Sequence, residues 1–380
     1  MYPRVFYLIM CFVLICMFSC KQHYTLPAEA IKQTNYLVVE GNITVGQDST
    51  IITLTRSVQV TDTTKALVPE TGATVAVETD AGRAFALVEI GNGAYAVANI
   101  QPSAASEKFR LSITTAGNRQ YRSSYVVFKK APAIDSVSWE QHDDGVYIYV
   151  NTHDDENKSQ YYKWNFTEVW EYHAPFSSSY EYKDGIEVHR PAPVQYCWQK
   201  VASTAVIMQN TNNLTKDVVY KKQLMFIPTS DHKLGVLYTM LVSQNVLTKE
   251  GFDYWTGLSK NSEQLGSIFD AQPSQLAGNL YCVTDPAEPV LGFITATTTA
   301  QFRLWVKHTD VKNWQYPLGK FAACDTVHLD RPGVLALLMA NVYAKVDQEP
   351  FTNDPPYATS IECVDCTLQG GVNIKPPYWP

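Results

Sequence analysis

Two cysteines three positions apart, Cys363 and Cys366, sit in the closing stretch "IECVDCTLQGGVNIKPPYWP". That spacing serves a zinc site, a redox pair or a disulfide framework. A zinc ribbon needs a second closely spaced pair, and none exists once the leader cysteines and Cys20 are set aside. A thioredoxin-like pair opens a helix after a strand, whereas Gly370, Gly371 and two prolines follow here. Disulfide use is therefore favoured, provided the compartment is oxidising. Setting aside Cys11, Cys16 and Cys20 leaves Cys197, Cys282, Cys324, Cys363 and Cys366. We expect Cys324 to join one member of the closing pair and Cys197 the other, with Cys282 left free.

The compartment is written at the other end. After a single cation, Arg4, an apolar run extends from Val5 to Phe18 and ends at Ser19-Cys20. This run falls short of the roughly 20 residues that span a bilayer core. A cleaved signal peptide over residues 1–19 is the better reading. Met17-Phe18-Ser19-Cys20 resembles a loose bacterial lipobox, which implies that Cys20 becomes the first residue and carries acyl chains. Two or more such chains anchor durably.

Other chemistry is sparse. No Gly-x-Ser-x-Gly elbow, His-Glu-x-x-His helix, Walker loop or Gly-x-Gly-x-x-Gly run occurs. The histidines are dispersed along the chain, so no metal is expected from spacing, and no cofactor. The cluster His153 to Asn157 offers hard oxygen ligands for calcium but lacks the loop glycine and distal glutamate of an EF-hand; a solvated hairpin turn is preferred. "WEYHAPFSSSYEYKDGIEVHRPAPVQYCW" is rich in aromatics. Tyr180 and Tyr182 could present a platform to sugar or peptide ligands; the preferred alternative is that Trp170 and Trp198 are core residues and Ser177 to Ser179 a flexible loop. Four Asp-(Ser/Thr)-x tripeptides resemble an O-glycosylation signal and would place glycans on Ser49, Thr63, Ser136 and Thr326.

The elements that must hold these residues are mainly strands. Residues 20–33 read as a lipidated tether. From Tyr36, period-two alternation sets in: "YLVVEGNIT" puts Leu37, Val39 and Ile43 on one face, and "STIITLTRS" buries Ile52 and Leu54. About seven short strands with regular turns make residues 34–130 an Ig-like or prealbumin-like β-sandwich. Lys129-Lys130 and Pro132 end that unit. Residues 134–380 form a second β-rich domain similar to a fibronectin type III sandwich. In it "YYKWNFTEVWEY" places Tyr162, Trp164, Phe166, Trp170 and Tyr172 on one face. A helix near 248–265, capped by Thr248, interrupts it, and a disulfide-linked extension closes it. "RPGVLALLMANVYAK" reads equally as short helix or strand.

Composition narrows the partners. Without residues 1–19 the balance is 29 cations against 37 anions, or -8, and no basic run exists, so nucleic acid is excluded as a partner. Low charge (18%) with 12% Tyr, Trp and Phe suits an extracytoplasmic β protein.

"YLVVEGNIT", "YYKWNF", "YWTGLSKNSEQLGSIFDAQPSQLAGNLYCVTDPAEPVLGFITA" and the closing "CVDCTLQGGVNIKPPYWP" together resemble a family of Bacteroidota outer-membrane lipoproteins grouped only as a domain of unknown function. The resemblance implies genes beside TonB-dependent receptors, and a non-enzymatic binding or accessory role in uptake. It carries over no catalytic residues. Surface-displayed members carry acidic residues after the lipidated cysteine, whereas Lys21-Gln22-His23-Tyr24 follow here. Outer-membrane anchoring is thus implied, with either face open. The expected partners are the bilayer, through acylated Cys20, and a TonB-dependent receptor. The alternative is a structural or adhesive envelope lipoprotein in which the β units are spacers.

Overall fold

A computed structural model describes residues 35–58, 68–263, 278–314, 321–347 and 357–380. Cys20 and Thr63 lie outside them, as do the leader and tether. The chain is mainly β. The first unit carries β1 (Leu37–Thr44), β2 (Ser49–Arg56), β3 (Val68–Pro69), β4 (Thr74–Thr79), β5 (Ala84–Gly91), β6 (Ala94–Ala98), β7 (Lys108–Thr114), β8 (Gln120–Ser123) and β9 (Val126–Lys129). The second begins with β10 (Ile134–His142), β11 (Gly145–Asp154), β12 (Tyr161–His173), β13 (Tyr180–Lys183), β14 (Ile186–His189), β15 (Tyr196–Ala202), β16 (Ile207–Asn210), β17 (Asp217–Pro228) and β18 (Leu237–Val246). Helix α1 (Lys249–Glu263) follows, then β19 (Leu280–Cys282), β20 (Val290–Leu291), β21 (Ala296–Thr297) and β22 (Ala300–Lys307). Beyond these come β23 (Val327–His328), α2 (Val334–Met339), β24 (Tyr343–Lys345) and β25 (Tyr357–Ser360). Neither helix is long and apolar enough to cross a membrane.

The first unit corrects the expected open sandwich. Its strands hydrogen-bond in the order β7-β4-β5-β6-β2-β1-β21-β9, and β9 pairs back onto β7 through Val127↔Lys108 and Val126↔Phe109. Eight strands therefore form a closed, barrel-like sheet, which removes the unpaired edges that an open sheet exposes. Closure requires β21, which lies parallel between β1 (Ile43↔Ala296) and β9 (Ala296↔Phe128). The alternating residues expected inside, Leu37, Val39, Ile43, Ile52 and Leu54, are fully buried, joined by Tyr95, Phe109 and Tyr121. At the β5–β6 hairpin Gly93 has φ +73, and a Cβ there would lie 2.4 Å from the Leu54 carbonyl. Only glycine fits that approach.

The assignment of all of residues 134–380 to the second unit needs a second correction, although β10 does begin at Ile134. Leu280–Thr297 belongs to the first unit: β19 pairs β8, β20 pairs β1, and Leu280, Cys282, Ile294 and Ala296 enter the barrel core. Asn279 holds the returning segment in shape, donating to and accepting from the backbone of Ile294 at 2.8 Å each way. Glu288, on the same segment, accepts a hydrogen bond from Tyr121 (2.7 Å) and pairs with Arg119 at one end of the barrel.

The second unit sets a three-stranded sheet, β10-β11-β17, against a five-stranded sheet ordered β15-β12-β18-β22, in which β16 also pairs β12. Between them lie Ile148, Tyr162, Trp164, Trp170, Tyr172, Met240 and Val306. The inward row of β12 also carries Glu168, which hydrophobic alternation does not reveal. Its carboxylate accepts from buried Tyr238 (2.7 Å) and pairs with Lys233 (3.1 Å), so the charge is compensated. Burial pushes the Tyr238 hydroxyl well above its usual value, and it stays protonated as donor. Helix α1 starts where Thr248 Oγ1 accepts from the Gly251 N–H (3.2 Å), an N-cap, and packs Phe252 on Tyr161. Residues 334–345 resolve as helix, then strand.

Buried Glu107 shows how the barrel depends on pH. Arg83 donates to it (3.2 Å to Oε1), the Ser103 N–H and hydroxyl add two more bonds, and these hold its carboxyl down at about 2. A depressed carboxylate stabilises the fold above the unfolded value near 4.5, and that contribution is lost as pH falls toward 2. Glu107→Gln is expected to cost about 1–3 kcal/mol at pH 7. In urea melts its deficit should shrink as pH drops below 4.

Candidate functional site

Cys197 on β15 is bonded to Cys366, and Cys324 to Cys363; Cys282 is free and buried in the barrel wall. The closing pair therefore straps two bodies. Cys366 reaches the sandwich core, while Cys363 holds a small lobe made of α2 and the sheet β23-β25-β24. That lobe has few buried residues of its own, centred on Val334, Leu338 and Ala358. After Cys366 the chain returns along the edge of β15. Tyr172 donates to the Cys366 carbonyl (2.8 Å), and Trp198 and Val372 exchange backbone bonds at 2.9 and 3.0 Å. A Cβ at Gly371 would lie 2.4 Å from the Tyr172 hydroxyl. Trp379 ends the tail against Trp198 and Trp305, its indole N–H donating to Glu171 (2.8 Å).

Beside the strap, whose Cys366 N–H donates to the Val194 carbonyl (2.9 Å), lies a cleft of about 350 Å³ lined by Ser177–Ser179, His189–Tyr196 and Asp347. The hairpin β13–β14 forms one side, with register Tyr180↔His189. Of the two tyrosines expected on a platform, Tyr180 is exposed and Tyr182 is not. Tyr182 packs into the lobe beside Val327 and Tyr343, and Tyr180 is 39% exposed with its ring against His189 and Lys345. The serine run is equally fixed. Asp347 accepts from both the N–H and the hydroxyl of Ser179 (2.8 Å each), and Ser178, buried, donates to the Tyr180 carbonyl (3.1 Å). Trp170 and Trp198 are buried.

Sequence reasoning missed Arg190. It is 9% exposed, extends the hairpin through an N–H bond to the Ser179 carbonyl (2.8 Å), and donates from Nε to the Tyr180 carbonyl (3.1 Å). Its carboxylate neighbour, Glu181, is 3.5 Å from Nη1 and closer to Lys183, at 2.7 Å. Lys183 first, then Arg190, hold the Glu181 carboxyl below the usual range. Pro191 and Pro193 stiffen the wall that follows.

Other sequence candidates fall elsewhere. Asp154 in the acidic cluster accepts from the N–H groups of Glu156, Lys158 and Ser159 and from the Ser159 hydroxyl, so its carboxylate closes the turn. No group of three or more metal-binding side chains occurs among the described residues. Ser49 is exposed at the start of β2. Ser136 is half-buried and accepts from Asn151 (3.0 Å); Thr326 is half-buried beside Asp325. A second, larger cleft of about 700 Å³ lies at the barrel end. Its charges Arg56, Glu70, Arg119 and Glu288 are matched to one another.

The model of a domain of unknown function, DUF4249, matches residues 22–303, most of the chain. The chain belongs to that family. The DUF4249 span includes barrel, sandwich and Arg190, and stops within β22; the lobe, Asp347 and the closing cysteines lie beyond it. No curated protein matches the chain.

Lys163, outward on β12, lies with Nζ 3.3 Å from the Trp255 ring centroid under α1, and burial pushes it down to about 8. A lysine lowered in the fold is a cost that is full below pH 8 and fades as pH rises toward the unfolded 10.5. Lys163→Met is therefore expected to raise the melting temperature by about 2 °C at pH 7, a gain that scanning calorimetry should find vanishing near pH 10.

The two disulfides close loops of sequence separation 169 and 39. Chain-entropy arguments give roughly 5 and 4 kcal/mol as upper values. Replacing Cys197 and Cys366 by alanine should therefore lower the denaturant midpoint further than replacing Cys324 and Cys363.

Proposed function

We propose that this DUF4249 protein is an outer-membrane lipoprotein, held by acylated Cys20, that serves as a non-enzymatic binding or accessory subunit of a TonB-dependent uptake receptor. The observation that carries the reading is the cleft beside the strap. Its walls are fixed by two disulfides, two prolines and the Asp347–Ser179 bonds, and it offers polar and aromatic groups to a small ligand. Pre-organisation of this kind favours binding because little is left to order when the ligand arrives. The hydroxyls of Ser178 and Ser179 are committed to a carbonyl and a carboxylate, not to a histidine, which suits holding better than nucleophilic attack. Disulfides fit a compartment outside the cytoplasm, and the apolar leader ending at Cys20 fits lipid attachment.

The two facing sheets of the second unit, three strands against five with β15 and β16 both paired to β12, support a sandwich reading of that unit. From Cys20 to Asn35 the chain reaches at most roughly 50 Å. The barrel is thereby confined to a shallow layer above the bilayer, which raises its effective concentration toward a membrane receptor.

Tagged native protein extracted in mild detergent should co-purify with a TonB-dependent receptor. Cys20→Ala should abolish labelled palmitate incorporation and release the protein from membranes. Recovery of no receptor would defeat the accessory role, and unchanged membrane attachment of the variant would defeat the anchor.

A further inference from the structure

We propose that the cleft takes a small organic carboxylate, with Arg190 as the group that recognises it. The inference deepens the reading of the cleft as a binding site and rests on it. A guanidinium is a planar fork of five N–H donors that cannot shed its charge. Buried, it requires acceptors on most of them. The Arg190 side chain is 7% exposed, and its contacts among the described residues are the Tyr180 carbonyl on Nε and a long approach of Nη1 to Glu181. Glu181 is itself drawn to Lys183. Nη2 has no partner among the described residues, yet Arg190 lines the cleft. The structure thus holds a nearly buried cation with part of its fork left for something that enters.

The surroundings select the chemistry. The remaining anion on the wall, Asp347, is taken up by Ser179, so it does not compete for Arg190. Ser177, on the same wall, has a hydroxyl without a side-chain partner among the described residues, a second donor for an anionic oxygen. Gln195 is spent on the Ala174 carbonyl (3.2 Å). Tyr196, 43% exposed at the rim and set edge-on against His173 at 4.6 Å, offers an aromatic face to the ligand body. A carboxylate matches the flat guanidinium fork. A volume of about 350 Å³ limits the body to the size of a dipeptide or one sugar ring. The carboxylate is either the free end of a short peptide or that of a sugar acid, and the two sources separate by experiment.

The test is isothermal calorimetry on the purified mature protein in detergent, with Gly-Tyr, its C-terminal amide, glucuronate and glucose as probes. One of the two acids should bind, and its uncharged counterpart at least about tenfold more weakly. Binding of Gly-Tyr alone assigns peptide ends; binding of glucuronate alone assigns sugar acids. Arg190→Gln should abolish the heat. Because that variant removes a buried group, Tyr196→Ala and Ser177→Ala at the rim serve as second probes; each should weaken binding severalfold with the melting temperature unchanged. The proposal is overturned if neither acid binds, if the neutral probes bind as well as the acids, or if both rim variants bind like the parent. No receptor or membrane enters this measurement, so failure to recover a receptor and failure to bind a carboxylate are separate results.

Discussion

Closure of the eight-stranded sheet by two residues, Ala296 and Thr297, is the constraint on which the architecture turns. They sit parallel between β1 and β9, and their neighbours tie barrel to sandwich: Thr297 accepts from the Val246 N–H (3.3 Å), and Thr298 from the Ala131 N–H (2.8 Å). The chain thus leaves the barrel after β9, builds most of the sandwich, returns to complete the barrel, and then supplies β22 to the sandwich. Each unit contains a strand whose placement depends on the other. The links are hydrogen bonds accepted by the hydroxyls of Thr297, Thr298 and Thr299, the last from Asn245 (2.9 Å), directional contacts that fix orientation better than apolar packing would.

What was legible in the sequence was what depends on one face of one element. Alternation over Leu37–Ile43 and Tyr162–Tyr172 reports a strand with a buried side, and that side is the core in both units. Thr248 marks a helix start because a hydroxyl there can satisfy an orphan N–H. The mainly β character and the presence of disulfides followed from the same level of reasoning. Ring closure did not, because a two-residue strand has no period to read, and its partners lie more than 160 residues away in the chain.

The cleft was only half legible. The aromatic run Trp170–Trp198 stood out by composition, but exposure of Tyr180 and Tyr182 is a tertiary property that composition does not carry. Arg190, between a histidine and a proline, has no local signature at all. Its significance comes from burial beneath a hairpin and from a carboxylate, Glu181, that it shares with Lys183 and that lies closer to Lys183. Glu168 is similar: a charge placed on an apolar row is recognisable as compensated only once Tyr238 and Lys233 are seen beside it.

The returning segment also disposes of the fifth thiol. Cys282 lies on β19, 2% exposed, its sulfur 3.3 Å from the Thr284 hydroxyl. Until β19 docks, the five cysteines among the described residues compete for four places, and exchange can shuffle them. Once the barrel seals, the spare is locked away from oxidants and from the other four, so correct cystine pairing is guarded by the very segment that completes the sheet.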